Sequence, residues 1–355
     1  MNTITPSTTT AVQSHAARRK NGFRFWIGRT LLGLLALLIG LAVIGASYEA
    51  IMAAGDATRY PPPGRLVDVG GYRMHISCMG AGAPTVVLAA GAGGFSAEWS
   101  LLQPELSKAT RVCAFDRAGL GWSEPGPAPR SPAHIADELH ALLTNAGIDG
   151  PIVLVAHSAG GKHARLYAQR HPERVAGIVL VDARSEYVED HQTPQQAAAE
   201  RAGLAGFQSQ IATLSRFGVI RLIWAWGWPK ALPVAANLAP ETRQLIGILQ
   251  ARAQHRATSL RETDDAKLDN DALRGARLGA TPLVVLEAGR TMQQIPNWRE
   301  SQEYQAGLST NSRLIVAEGS DHSIHWDRPA LVIEAVRAAI DAARTGHSLA
   351  EWQYN

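Results

Sequence analysis

Short apolar runs, mostly β-branched and ending at Gly, Ser or Asp, recur along the chain: RLVDV, YRMHISCMG, TVVLAAG, RVCAFD, IVLVAHS, VAGIVLVD, PLVVLEAG and SRLIVAEGS. Such runs predict buried strands. Gly70-Gly71 between the first two predicts a hairpin. The stretches between later runs carry apolar residues at helical spacing, over 132–147, 162–171, NWRESQEYQAGL and ALVIEAVRAAIDAA. Alternating strands and helices predict an α/β fold, a mostly parallel sheet with helices on both faces. Residues 186–278 break the rhythm: they are helical in character, without a convincing buried strand, and read as a helical lid over the sheet's C-terminal edge. The expected core is therefore 57–185 with 279–355, and the lid 186–278. No internal repeat is visible.

The longest apolar run is different in kind. Residues 31–47, LLGLLALLIGLAVIGAS, are seventeen positions without a charge, and with their flanks they are long enough for a tilted membrane helix. Five basic residues, Arg18, Arg19, Lys20, Arg24 and Arg29, precede it, and the first acidic residue is Glu49. This asymmetry predicts a single-pass anchor over 23–56, with a cytoplasmic N-terminus and an exported domain. A cleaved signal peptide, with Gly45-Ala46-Ser47 as the cleavage site and a secreted product, is the competing reading. Residues 1–22, rich in Thr, Ser and Ala, predict disorder. Tyr60-Pro61-Pro62-Pro63-Gly64 predicts a stiff spacer lifting the domain off the bilayer.

Charge then changes the picture once. The chain has 34 basic and 31 acidic residues, but without the N-terminal five, 29 basic stand against 31 acidic. The excess belongs to targeting, and no polycationic face is left for nucleic acid.

Chemistry enters at VLVAHSAGGKH. An apolar strand stops at Ser158, with small residues Ala156 and Gly160 two positions to either side, and a helical pattern follows. This is the pattern of a nucleophile elbow, in which a sharp turn leaves no room for flanking side chains. Together with VVLAAGAGG, CAFDRAGLGWSEP and VAEGSDHSIHWDRP, it resembles the α/β-hydrolase fold over roughly residues 65–345.

The resemblance implies a serine hydrolase with a catalytic triad and an oxyanion hole. Ser158 is the implied nucleophile and His322 the base, in the loop before the last helix, with His325 as competitor. The usual acid position after PLVVLEAG holds Arg290-Thr291-Met292, so the acid is expected at Asp182, twenty-four residues after Ser158, where haloalkane dehalogenases carry theirs; Glu287 is the alternative. Backbone N–H groups of Ala92 and Ala159 are the implied oxyanion donors. Haloalkane dehalogenases and epoxide hydrolases of this fold use aspartate as nucleophile, so Ser158 favours acyl transfer from a small-molecule ester or related compound. A peptidase or amidase on the same triad, and a catalytically silent binding protein, are the other readings.

No cofactor is implied. Asp321, His322 and His325 raise a metal site, but no matching ligand cluster accompanies them, and none is expected. Lys162 and His163 are expected to face solvent. Trp224, Trp226 and Trp228 fit a lid core, an acyl pocket or a membrane interface. If the family's strand order holds, Cys78 and Cys113 lie on neighbouring strands, and both a disulfide and two buried thiols fit. Oligomeric state is not legible.

Overall fold

The short apolar runs do form strands, because sheet neighbours cover both of their faces. The structure, a computed structural model, describes residues 12–200, 202–203, 206–226, 237–352 and 354. Helix α1 (Val12–Arg59) leads into β1 (Arg65–Asp68), β2 (Arg73–Met79) and β3 (Thr85–Ala89). Then come α2 (Gln103–Leu106), β4 (Val112–Phe115), α3 (Pro132–Asn145), β5 (Ile152–His157), α4 (Gly160–Arg170) and β6 (Val175–Val181).

Between β6 and β7 (Leu283–Ala288), the elements among the described residues are helical: α5 (Glu186–Asp190), α6 (Pro194–Glu200), α7 (Gly206–Arg216), α8 (Val219–Ala225), α9 (Pro240–Ala251), α10 (Ala253–Asp265) and α11 (Asn270–Leu273). The chain ends with α12 (Gly289–Gln294), α13 (Trp298–Ala306), β8 (Ser312–Ala317), α14 (Ile324–Asp327) and α15 (Pro329–Thr345).

The eight strands form one sheet in the order β1-β2-β4-β3-β5-β6-β7-β8. β2 is antiparallel to β1 and β4, and the pairs from β4 through β3 to β8 are parallel. Alternation along each strand divides the core. Ile152, Leu154 and Ala156 pack with Leu139, Leu142 and Tyr167 of α3 and α4; Val153 and Val155 pack with Leu331, Val336 and Ile340 of α15. A strand covered on both faces reads as a continuous apolar run, hence the absence of polar alternation in IVLVA.

Cys78 and Cys113 sit opposite each other in the β2–β4 pair and are disulfide-bonded. The bond closes a loop of sequence separation 35. A Cys78→Ser/Cys113→Ala double variant is expected to lose about 2–4 kcal/mol in urea unfolding, the range for loops of this size.

Three expectations are corrected. Residues 12–22 continue α1 as helix rather than lacking structure; alanines and basic residues propagate a helix already nucleated by the apolar segment. Residues 1–11 lie outside the described residues. Secondly, the proline stretch does not hold the domain away from α1. The Trp122 indole donates to the Tyr60 carbonyl at 2.8 Å, and α1 itself packs on the insertion through Glu49 and Asp56, both bonded to Arg221. Lastly, Lys162 and His163 are buried, not solvent-facing. Lys162 bonds Glu189 of α5 and Asn270 of α11, so it fastens the insertion to the core. Of the three tryptophans, Trp224 packs against Gly247 of α9, Trp226 is exposed, and Trp228 lies outside the described residues.

Candidate active site

Parallel strands end together, and side chains just beyond β5, β6 and β8 therefore converge at one edge of the sheet. Ser158 follows β5 with φ +52°, in the left-handed region that ordinary side chains avoid. Its N–H donates to the Val181 carbonyl, and its own carbonyl accepts from Gly161 and Arg184 N–H, so the turn is held from both sides. The backbone after β3 comes close over it. A Cβ on Gly160 would lie 2.8 Å from the Ala89 carbonyl oxygen, and one on Gly91 would lie 3.0 Å from Ser158 Cβ. No side chain fits at either position. The other flank, Ala156, is buried without such a conflict.

His322 links two of these strand ends. Its Nε2 lies 2.8 Å from Ser158 Oγ and its Nδ1 2.6 Å from Asp182 Oδ2. Asp182 is fully buried, whereas the His322 side chain is 41% exposed and reachable. The other carboxylate oxygen, Oδ1, accepts from Ala288 N–H at 2.9 Å and from the Trp298 indole at 2.8 Å. Those donors orient the carboxylate so that Oδ2 faces His322. Glu287, second from the end of β7, bonds Arg299 at 2.7 Å; burial raises its pKa. His325 is buried with both ring nitrogens unpartnered among the described residues and makes no bond to Ser158. The N–H groups of Ala92 and Ala159 make no hydrogen bond among the described residues. Unengaged donors beside the serine are what an oxyanion would need.

Several positioning groups escaped the sequence reading. Arg117 is buried and donates to the carbonyls of Ala90 at 2.7 Å and Gly91 at 2.7 Å while pairing with Glu262 of α10. It fixes those two carbonyls and ties the loop to the insertion. Its signal was present in CAFDRAGLGW, as a cation two residues beyond a buried strand. His255 of α10 donates from Nε2 to the Gly93 carbonyl at 2.8 Å and accepts at Nδ1 from Gly121 N–H at 3.2 Å. Both contacts assign one neutral tautomer. His157 Nε2–H donates to the His322 carbonyl at 3.0 Å and holds the loop that carries the ring. Nothing local in sequence announces either histidine, because each acts on backbone more than a hundred residues away.

Glu98, His157 and His325 form the group that could hold a metal ion; all are buried and their ligand atoms lie within 4.8 Å of one another. His157 keeps only Nδ1 for such a role, since its Nε2 serves the His322 carbonyl.

Burial also sets how these groups titrate. It pushes His157 and His163 well below the ordinary imidazole value and His255 and His325 down to about 3, and it raises Glu98 to about 8. For these five groups alone, unfolding between about pH 4.5 and 6.5 lets the four imidazoles take up protons and the Glu98 carboxyl release one. The net uptake means stability falls as pH drops, by about 1.4 kcal/mol per pH unit for each net proton. Above about pH 6.5 the four imidazoles add no slope, and Glu98 acts with the opposite sign until its folded pKa is passed. Thermal melts are expected to peak near neutrality and fall steeply in acid, and Glu98→Gln is expected to remove the mild decline from pH 6.5 to 8.

Comparison with known proteins agrees with this architecture. Residues 84–215 match the family model for the alpha/beta hydrolase fold. An uncharacterized protein of Schizosaccharomyces pombe is 26% identical over 333 residues, which is 82% of this chain; the chain spans only 58% of that protein. A thermophilic esterase from Thermogutta terrifontis superposes with a TM-score of 0.57 at 22% identity, over 79% of this chain and 99% of the esterase. The epoxide hydrolase CorEH does so with a TM-score of 0.59 at 19% identity, over 78% and 98%. At these identities the structures share the fold alone. The chain therefore has the α/β-hydrolase fold, and its match to that family's model runs over residues 84–215. An esterase and an epoxide hydrolase on one scaffold leave the choice of chemistry to the site.

Proposed function

We propose that the protein is a serine hydrolase that cleaves a carboxylic ester or related acyl compound through an acyl-enzyme. The observation that carries this reading is the chain from Ser158 through His322 to Asp182, at 2.8 and 2.6 Å. Ser158 Oγ attacks the substrate carbonyl carbon while His322 Nε2 takes its proton. Asp182 accepts the bond from His322 Nδ1–H and stabilises the imidazolium. The carbonyl oxygen, now negative, is held by the N–H groups of Ala92 and Ala159. His322 then returns the proton to the departing alcohol, and a water repeats the attack on the acyl-serine.

The same reading places the enzyme on a membrane. Within α1, Arg24–Arg59 is apolar enough to span, and its apolar window is not buried in the protein. The basic residues before it favour a cytoplasmic N-terminus, and the Cys78–Cys113 bond suits an oxidising compartment on the far side. The test is labelling of the full chain, in detergent or nanodiscs, with a fluorophosphonate probe, alongside turnover of p-nitrophenyl esters and aminoacyl anilides. Labelling at Ser158 with ester turnover is expected. A folded protein that neither labels nor turns over esters would sink the proposal, and a preference for anilides would move it to an amidase.

A further inference from the structure

The insertion between β6 and β7 grips α1 as well as the core. The turn between α7 and α8 meets α1 at Gly45 and Tyr48. A Cβ on Gly45 would lie 2.5 Å from the Phe217 carbonyl oxygen, and one on Gly218 would lie 2.6 Å from the Tyr48 ring. Just beyond, Arg221 of α8 is buried between Glu49 at 2.8 Å and Asp56 at 3.0 Å, and Arg252 reaches Asp56 at 3.0 Å. Removing Arg221 would leave Glu49 buried without its cation, so the junction is costly to open.

Its height along α1 is informative. At 1.5 Å per residue, the uncharged run 31–47 spans about 26 Å, close to the thickness of a bilayer's hydrocarbon core. Gly45 and Tyr48 therefore lie within one helical turn of where the hydrocarbon ends. The α7–α8 turn is fastened at that depth.

What the insertion exposes there is apolar. Phe207 and Leu214 are exposed at i and i+7 on α7, and Leu222 of α8 and its C-cap Trp226 at i and i+4, with Trp226 84% exposed. Arg216, the last residue of α7, is exposed and makes no hydrogen bond among the described residues. The other end of the apolar run carries exposed Phe25 and Trp26. Aromatic side chains at both ends of a spanning helix mark the two interfaces.

We propose that the α7–α8 face is a bilayer-docking surface, held by α1 in the headgroup region of the membrane that α1 crosses. Apolar side chains enter the acyl boundary and Arg216 meets phosphate. The proposal rests on the membrane reading of α1 and deepens the proposed activity. Through His255 and Glu262 on α10, bonded to Gly93 and Arg117, the same insertion covers the loops around Ser158. The acyl substrate served by this placement is an amphiphile dissolved in the bilayer.

The test uses the full chain in phosphatidylcholine nanodiscs, with single cysteines Leu222→Cys, Trp226→Cys and, on the exposed side of α15, Glu334→Cys. The native cysteines are bonded to each other and stay unlabelled. Bimane at 222 and 226 is expected to be quenched several-fold more by nitroxide lipid than bimane at 334, and several-fold less by aqueous iodide. Equal behaviour at all three positions would overturn the proposal. So would protection from both quenchers, which would mean that a second protein surface covers the face.

A Leu222→Asp/Trp226→Asp variant is expected to lose turnover of a long-chain ester in the bilayer several-fold while keeping that of a water-soluble short-chain ester; parallel losses would sink the substrate assignment. Fluorophosphonate labelling in the same samples separates the two readings. Quenching without labelling leaves the surface standing and removes the serine chemistry, and labelling without lipid quenching does the reverse.

Discussion

Ester turnover and fluorophosphonate labelling are expected to vanish with Ser158→Ala, with kcat falling on the order of 10⁶-fold. The size follows from what is removed. Ser158 Oγ is the atom bonded to His322 Nε2, and no other hydroxyl approaches that nitrogen among the described hydrogen bonds. Alanine keeps the backbone at φ +52° and the bonds to Val181, Gly161 and Arg184 intact, so unfolding free energy should hardly move. A rate loss without a stability loss is the signature of a nucleophile. Labelling that persists in Ser158→Ala would place the reactive serine elsewhere.

Asp182→Asn is expected to lower kcat about 10⁴-fold, the cost of presenting the wrong imidazole tautomer. The surroundings of Asp182 decide how the amide would sit. Ala288 N–H and the Trp298 indole both donate to Oδ1, so the amide oxygen of asparagine would stay with them. Its NH₂ group would then take the place of Oδ2 and donate to His322 Nδ1. The ring proton is displaced to Nε2, where it points at Ser158 and cannot accept the serine's proton. Glu287→Gln tests the other carboxylate on the same assay. Because Glu287 is bonded to Arg299 rather than to His322, its rate should stay within a few-fold of the parent. A large loss at Glu287 with a small one at Asp182 would reverse the assignment.

How much of this was visible beforehand depends on the range of the interaction involved. The strands were legible because burial on both faces writes continuous β-branched runs such as IVLVA, and α15 because one apolar stripe packs on the sheet. Ser158 was singled out by a purely local feature, a turn that tolerates only small neighbours. His322 and Asp182 were reached through resemblance rather than through the physics of their own segments; nothing near either residue states that their rings and oxygens meet across 140 positions. Lys162 was misplaced for the opposite reason. A lysine on a helix reads as solvent-facing, and only the insertion folding over α4 brings Glu189 and Asn270 to it.

By itself, then, the sequence determined the parallel α/β sheet, the apolar N-terminal helix, the helical character of the insertion and the elbow at Ser158, because each is written in the periodicity or sterics of one contiguous segment. Tertiary structure decided the rest: the ring of His322 between Ser158 and Asp182, Arg117 and His255 steering the loop after β3, and the clasp of Arg221 on Glu49 and Asp56. These depend on strand register and on backbone carbonyls brought from distant segments, and charge pairs of that kind exist only once the chain has closed around them.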